Sequence, residues 1–218
     1  MKNVFAGIVI AIAMMFSALQ AIAGESQKEP KWSIEIGGGK ASGLDMETSN
    51  ANKLSNSSVF TVRAGYSPMK YIEIQGEYSN IPGFENQEEN LVSGDYKQTQ
   101  AYGFKTYTIN LKLMFPIEKI GITPYIVGGI GRSNMQYDWH KELYFISGAL
   151  RSVQDTNLSG SGTCYKIGGG VDVKIIKDLF LFAEMSHWKT KITFDYKGKS
   201  ITDTFRYSIL IGGLGIKF

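Results

Sequence analysis

The chain has 218 residues, with 23 Lys+Arg against 20 Asp+Glu and a formal charge of +3. A charge this small, with no stripe of clustered Lys and Arg, argues against a nucleic-acid partner. One Cys and two His exclude an internal disulfide and a four-ligand Cys/His zinc cluster, and 25 Gly with 12% aromatics fit neither disorder, collagen nor a coiled coil.

Met1-Lys2-Asn3 is a short basic start, Val4 to Leu19 is apolar apart from Gly7 and Ser17, and Ala21-Ile22-Ala23 has the small-x-small form of a cleavage site. Residues 1–23 therefore read as a secretory signal peptide. The apolar run is short for a membrane span of ~20 residues. No Cys follows the cleavage point to carry a lipid. Cleavage removes only Lys2 among charged residues, so residues 24–218 carry +2. Glu25 to Lys31 reads as a polar tether. Cys164 reads as a small strand residue and not as a nucleophile.

From residue 32 onward, segments of roughly ten residues alternate apolar and polar, the length a tilted strand needs to cross a bilayer. Eight such segments are predicted, at about 32–41, 58–67, 71–79, 104–115, 124–133, 163–174, 179–188 and 205–218. The connections after the second, fourth and sixth are short: Pro68-Met69-Lys70, Pro116 to Thr123, and Ile175 to Asp178. Those after the first, third, fifth and seventh are long, about 16, 24, 29 and 16 residues, and rich in Asn, Ser, Gly, Gln and charge. An even strand number with short turns at one end and long loops at the other predicts an all-β fold, an eight-stranded antiparallel up-and-down transmembrane β-barrel occupying 24–218.

Aromatic residues gather near the strand ends. Trp32, Tyr66, Tyr71, Phe115, Tyr125, Phe180 and Phe218 lie toward the short turns. Phe60, Tyr78, Tyr107, Tyr165, Trp188 and Phe205 lie toward the long loops. Rings with an apolar body and a polar tip favour the headgroup zone, so these two sets are expected to form the two membrane belts.

The faces separate strand by strand. Phe60, Val62, Ala64 and Tyr66 oppose Thr61, Arg63, Gly65 and Ser67. Ile72, Ile74 and Tyr78 oppose Glu73, Gln75 and Glu77. Tyr107, Ile109, Leu111 and Leu113 oppose Thr108, Asn110 and Lys112, and Tyr165, Ile167, Val171 and Val173 oppose Lys166 and Asp172. A lipocalin-type barrel would turn its apolar face inward. Here an outward polar face would put charges in lipid at about 2–4 kcal/mol for each midplane Arg or Lys, so the polar face is assigned to the lumen. Its expected charges are Glu35, Arg63, Glu73, Glu77, Lys112, Arg132, Lys166, Asp172 and Glu184, whose mixed signs point to a paired plug. The fifth and eighth strands alternate poorly because glycines interrupt them.

The glycine clusters Gly37–Gly39, Gly128-Gly129, Gly168–Gly170 and Gly212-Gly213 fit tight curvature and bulky neighbours. Gly39-Lys40 lacks the upstream glycine of a phosphate loop, Ile34 standing in its place. No catalytic, metal or cofactor motif is found, and none is expected.

The segment Tyr165–Val173 and the ending Tyr207-Ser208-Ile209-Leu210-Ile211-Gly212-Gly213-Leu214-Gly215-Ile216-Lys217-Phe218 resemble the small outer-membrane β-barrel proteins of the OmpA-barrel, OmpX and opacity-protein type. The resemblance covers the mature chain. It implies a bacterial outer-membrane location, among lipid and lipopolysaccharide. It also implies that Leu214, Ile216 and Phe218 serve as the signal read by the outer-membrane assembly machinery. No peptidoglycan-binding domain follows, so that role is not carried over.

Three function classes remain. The first is a structural or surface-interaction barrel whose loops meet a host or cell-surface ligand. Tyr137, Trp139, Tyr144, Phe145 and Ile146 form a contact surface or, equally, the wall of an extended hairpin. Glu85, Glu88, Glu89 and Asp95, against Lys97, form an acidic connection suited to divalent cations. Lys189, Lys191, Lys197 and Lys199, against Asp195 and Asp203, form a basic one suited to lipopolysaccharide phosphates. The second class is a small channel. The third is a lipid A-modifying enzyme, disfavoured because Ser186 and His187 are adjacent and so point to opposite faces; His187 is placed in the outer belt beside Trp188.

Overall fold

A computed structural model describes residues 31–46, 56–90, 96–144, 150–196 and 198–218. The expected signal segment 1–23 lies outside them. Eight strands follow in order: β1 (Lys31–Met46), β2 (Ser57–Met69), β3 (Ile72–Asn90), β4 (Tyr96–Met114), β5 (Ile122–Tyr144), β6 (Leu150–Lys174), β7 (Leu179–Tyr196) and β8 (Lys199–Lys217). Each pairs antiparallel with the next, and β8 returns to β1 to close the barrel. Closure leaves no sheet edge, which a bilayer demands because it offers no water to unpaired backbone groups. At the seam Trp32 and Phe218 exchange backbone hydrogen bonds of 2.8 and 2.9 Å.

The ring is staggered. Cross-strand partners followed from Val62 through Tyr78, Tyr107, Arg132, Thr163 and Lys191 lead to Thr204 on β8. Followed the other way through Ile36, the same row reaches Leu214, ten residues further along β8. Such a stagger tilts the strands by about 35–45°, and rows of partners climb toward the long-loop end from β2 to β8.

Alternation decides the faces. The outward side is strongly apolar, with Ile109, Ile167, Met185 and Leu210 each more than 60% exposed. The inward side has two layers. Toward the short turns it holds charge; toward the long-loop end it holds a cluster that includes Phe84, Phe104, Trp188, Phe205 and Tyr207.

The strands run well past the bilayer. β5 and β6 are 23 and 25 residues long, against ~9–11 for a span. Most of the connections expected as loops are therefore continued ladder, including Lys97–Tyr102 against Tyr137–Glu142. Tyr102 and Tyr137 pack at 4.6 Å between ring centroids, so this part of the hairpin packs on its neighbours. The ladder bends where β3 leaves the membrane. Its register shifts between Ile81 and Phe84, at Pro82, which has no N–H to give a ladder.

Five residues lie outside the belt or lumen set expected for them. For Phe180 the alternation with Leu179 and Leu181 already opposes a belt place, setting it on the face of Glu184. Tyr125, Phe180, Trp188 and Phe205 are buried, at 1–5% exposure, and belong to the interior. Each shares the phase of an inward neighbour: Val127, Phe182, Ser186 and Tyr207. Glycines make room for them. A Cβ on Gly215 would overlap the Phe180 ring, and one on Gly213 would come within 2.7 Å of Phe182. Arg132 is the fifth. Ser133 and Met135 point inward, so Arg132 points out. It stands one residue pair above Ile130, where an outward cation meets headgroups and not hydrocarbon. Trp32, Phe60, Tyr107, Phe115, Tyr165 and Phe218 are exposed, and Tyr66, Tyr71 and Tyr78 are half-buried.

Interior glycines facing rings are thus sites of close approach. Gly213→Val would bring a side chain against Gly37 Cα, 2.6 Å from the added Cβ, and against Phe182. It is expected to destabilise the barrel by about 1–3 kcal/mol, read as a lowered urea midpoint in lipid vesicles. Gly76→Ala, whose Cβ meets nothing closer than 4.0 Å, is expected to leave the midpoint unlowered.

Candidate functional site

The lower interior holds inward charged residues from every strand except β5, which contributes a tyrosine. Arg63 on β2 places Nη1 3.2 Å from Glu35 Oε2 and Nη2 2.8 Å from Glu184 Oε1. Its Nε lies 3.2 Å from Glu77 Oε2, close enough to pair but not aligned as a hydrogen bond. Lys112 on β4 reaches Glu35 at 3.1 Å and Asp172 at 2.9 Å. Lys166 on β6 lies 2.6 Å from Glu77 and 2.7 Å from Glu184. Several of these pairs join strands that are not neighbours, β2 to β7, β4 to β1 and β6 to β3, so their side chains cross the lumen.

Neutral groups complete the shell. Glu73 accepts from Ser33 at 2.8 Å, Gln75 at 2.7 Å and Ser67 at 3.1 Å. Glu77 accepts from Asn110 at 2.7 Å and Ser79 at 2.8 Å. Tyr125 donates its hydroxyl to Glu184 at 3.2 Å. Three rings act here as cation partners, two of them, Tyr125 and Trp188, expected in the belts. Lys112 Nζ sits 4.0 Å from the Tyr125 centroid, Lys166 Nζ 5.5 Å from Trp188 and Arg63 Cζ 5.3 Å from Phe182.

Eight of the nine expected lumen charges are brought together; Arg132 is not. Its place as the fourth base is taken by Lys217, 3.8 Å from both Glu73 and Asp172 and 4.9 Å from the Phe180 ring. The available signal was the even spacing of Lys217 from Tyr207, Ile209 and Ile211, interrupted by Gly213 and Gly215.

His187 points outward and its Nδ1 lies 3.2 Å from Ser208 Oγ across the β7–β8 ladder. Ser186 points inward and accepts from Trp188 Nε1 at 3.0 Å. The pairing with Ser208 is invisible in sequence because it depends on register. No carboxylate bonds His187 among the described residues, so the pair lacks the third group that orients a catalytic imidazole.

Outside the membrane, His140 on β5 meets Asp155 on β6 at 2.5 Å and Glu142 at 3.3 Å. The hydrogen bond to Asp155, then that to Glu142, raises the His140 pKa above its ordinary 6.5. Among the described residues no group of His, Cys, Asp or Glu is placed to hold a metal. Of the acidic connection, Glu85 is exposed, Glu88 and Glu89 lie in register with Gln98 and Lys97, and Asp95 is outside the described residues. Of the basic one, Lys189, Lys191 and Lys199 are exposed and Lys197 is outside them. Trp139 is half-buried; Phe145 and Ile146 are also outside.

A closed, staggered ring with an apolar exterior, aromatic residues at both boundaries and charge confined within defines a transmembrane barrel of the bacterial outer membrane. The chain belongs to the outer membrane protein beta-barrel domain family, whose model matches residues 9–218. Among solved structures it is similar to Ail, the attachment invasion locus protein of Yersinia pestis, in complex with the heparin analogue sucrose octasulfate. That match has 15% identity and a TM-score of 0.51, over 88% of this chain and 100% of Ail. It is also similar to a major outer membrane protein from Thermus thermophilus, at 10% identity and a TM-score of 0.50, over 88% and 100%. At these identities the likeness is one of fold. No curated protein matches in sequence.

Arg63 is the hub of the charge layer. Arg63→Met would leave Glu35, Glu77 and Glu184 short of a cation. It is expected to cost about 3–5 kcal/mol, measured by equilibrium unfolding in vesicles. In the extracellular hairpin, a raised histidine pKa means stabilisation present in full below pH 6.5 and lost as pH rises through the folded-state value. The His140 ring resonance is therefore expected to titrate above 6.5, and Asp155→Asn to bring the midpoint down. Amide exchange in the β5–β6 hairpin is expected to quicken as pH rises through that midpoint, after correction for intrinsic exchange.

Proposed function

We propose that this is a non-enzymatic outer-membrane barrel whose lumen is closed and whose work is done on its outer surface, in envelope structure or surface interaction. The observation that supports this best is the lumen-crossing network of Arg63, Lys112 and Lys166 with Glu35, Glu77, Asp172 and Glu184. An ion passing through would have to separate charges held in a low-dielectric interior, which costs several kcal/mol per pair. Above that layer, Phe104, Phe205 and Tyr207 pack inside the ring, the Phe205 and Tyr207 centroids lying 5.6 Å and 5.3 Å from that of Phe104. A permeant ion would lose most of its hydration there, with only neutral hydroxyls such as those of Tyr207 and Thr190 in place of water. The hairpins beyond the membrane then supply the contact surface for a host or cell-surface ligand. A non-enzymatic role is supported by the His187–Ser208 pair, which has no orienting carboxylate among the described residues.

The alternative is a low-conductance channel, favoured by the polar lining of the lower lumen. Planar-bilayer recording of protein purified from outer membranes decides between the two. The closed reading expects no steady conductance from protein shown to be folded. Reproducible openings, altered by Glu77→Gln, overturn it.

A further inference from the structure

The outward face of β2–β5 carries a groove of about 580 Å³ at the extracellular end of the hydrocarbon band. Its floor is made by two small residues that are direct cross-strand partners, Ala64 and Gly76. Ile109 is the next partner along the row and Ile130 the one after. Both isoleucines are more than half exposed, so the groove has tall apolar walls beside a low floor.

The row immediately above holds Tyr78, Tyr107 and Arg132 as successive partners. The two tyrosine rings lie 5.2 Å apart. One residue pair higher on β4, on the same outward face, stands Lys105, which is exposed. Arg132 is also exposed and gives one hydrogen bond to Ser161 at 3.0 Å, one of its five donors. In these rows the outward neighbours are Phe60, Asn80 and Asn134, and none carries a carboxylate. Reading upward, the face passes from hydrocarbon groove to paired tyrosines to two cations.

We propose that this face is a specific site for one phosphorylated glycolipid of the outer leaflet, a lipid A-type molecule. One acyl chain lies in the groove over Ala64 and Gly76. Its sugar rests at the Tyr78–Tyr107 pair, and its phosphate is bound by Lys105 and Arg132. The order of the three layers matches the order of the three parts of such a lipid. A free phosphate has no use for the groove. A phospholipid has no rigid sugar to set its phosphate above the tyrosines. The site rests on the membrane orientation of the barrel and is independent of whether the lumen conducts.

The test is native mass spectrometry of the detergent-purified protein with defined lipids: bisphosphorylated lipid A, the same lipid dephosphorylated, and phosphatidylglycerol. The proposal expects retention of the bisphosphorylated form and at least about tenfold weaker binding of the other two. Lys105→Glu with Arg132→Glu is expected to weaken binding by a similar factor. Gly76→Leu fills the groove where a Cβ has room, and it is expected to weaken binding with both cations intact. Lys189→Glu, a single charge reversal at the same level on β7, is expected to leave binding within twofold. Heat-resistant migration as a folded barrel establishes that each variant is assembled. Equal binding of phosphatidylglycerol, equal loss in Lys189→Glu, or undiminished binding in Gly76→Leu would each overturn the site in favour of a general anionic attraction.

Discussion

An eight-stranded ring encloses a space only as wide as the side chains that fill it. That constraint governs the rest of this protein. Nothing inside can keep a hydration shell, so every inward charge must find an opposite charge or a hydrogen-bond donor within reach. Glu73 does so with Ser33, Ser67 and Gln75, and Glu77 with Lys166, Asn110 and Ser79. The same narrowness explains the inward glycines. Phe180 and Phe182 fit only because Gly215 and Gly213 stand opposite. A residue with a Cβ there would force either the ring or the backbone aside.

The interior is divided by height. Charge fills the end near the short turns, and aromatic and aliphatic residues fill the end toward the long hairpins, with Trp188 at the boundary. Trp188 faces Lys166 at 5.5 Å on one side and stacks on Tyr207 at 6.2 Å on the other. Its indole nitrogen is satisfied by Ser186. A ring with a cation-attracting face and one polar edge is suited to join the two layers.

The strand pattern was legible because the membrane enforces it: β2, β4 and β6 alternate cleanly where lipid lies on one side and charge on the other. It faded where that contrast is lost. Beyond the membrane both faces of β5 and β6 meet polar surroundings or a neighbouring hairpin, so ladder from Asn134 to Glu142 reads as loop. Glycines erased the phase elsewhere. The charge of Arg132 argues for the lumen while Gly128, Gly129 and Gly131 hide its parity, and Gly213 and Gly215 hide that of Lys217. Trp188 and Phe205 sit at the residue numbers of a belt, but the same phase that puts Glu184 and Ile209 inside puts them inside too. The His187–Ser208 pair needed register, which alternation cannot supply.

Stagger also converts a crooked pattern in sequence into a level one in space. Rows of partners climb from β2 toward β8, by roughly 3 Å per strand for strands tilted near 40° and spaced ~4.8 Å apart. An aromatic belt parallel to the membrane must therefore step down through the rows as it goes around. Phe60 stands one residue pair above Val62 on β2, Tyr78 and Tyr107 lie on the row itself, and Tyr165 stands one pair below Thr163 on β6. The four rings thus hold nearly one height. The outward cations step in the same way: Lys105 is one pair above the row on β4, Arg132 is on it at β5, and Lys189 is one pair below it at β7. They form a second level line just above the belt, at the depth where headgroup charge begins. Placing a cation there costs no hydrocarbon burial. That is why Arg132 is tolerated outside, although the same residue lower on the strand would have had to turn inward.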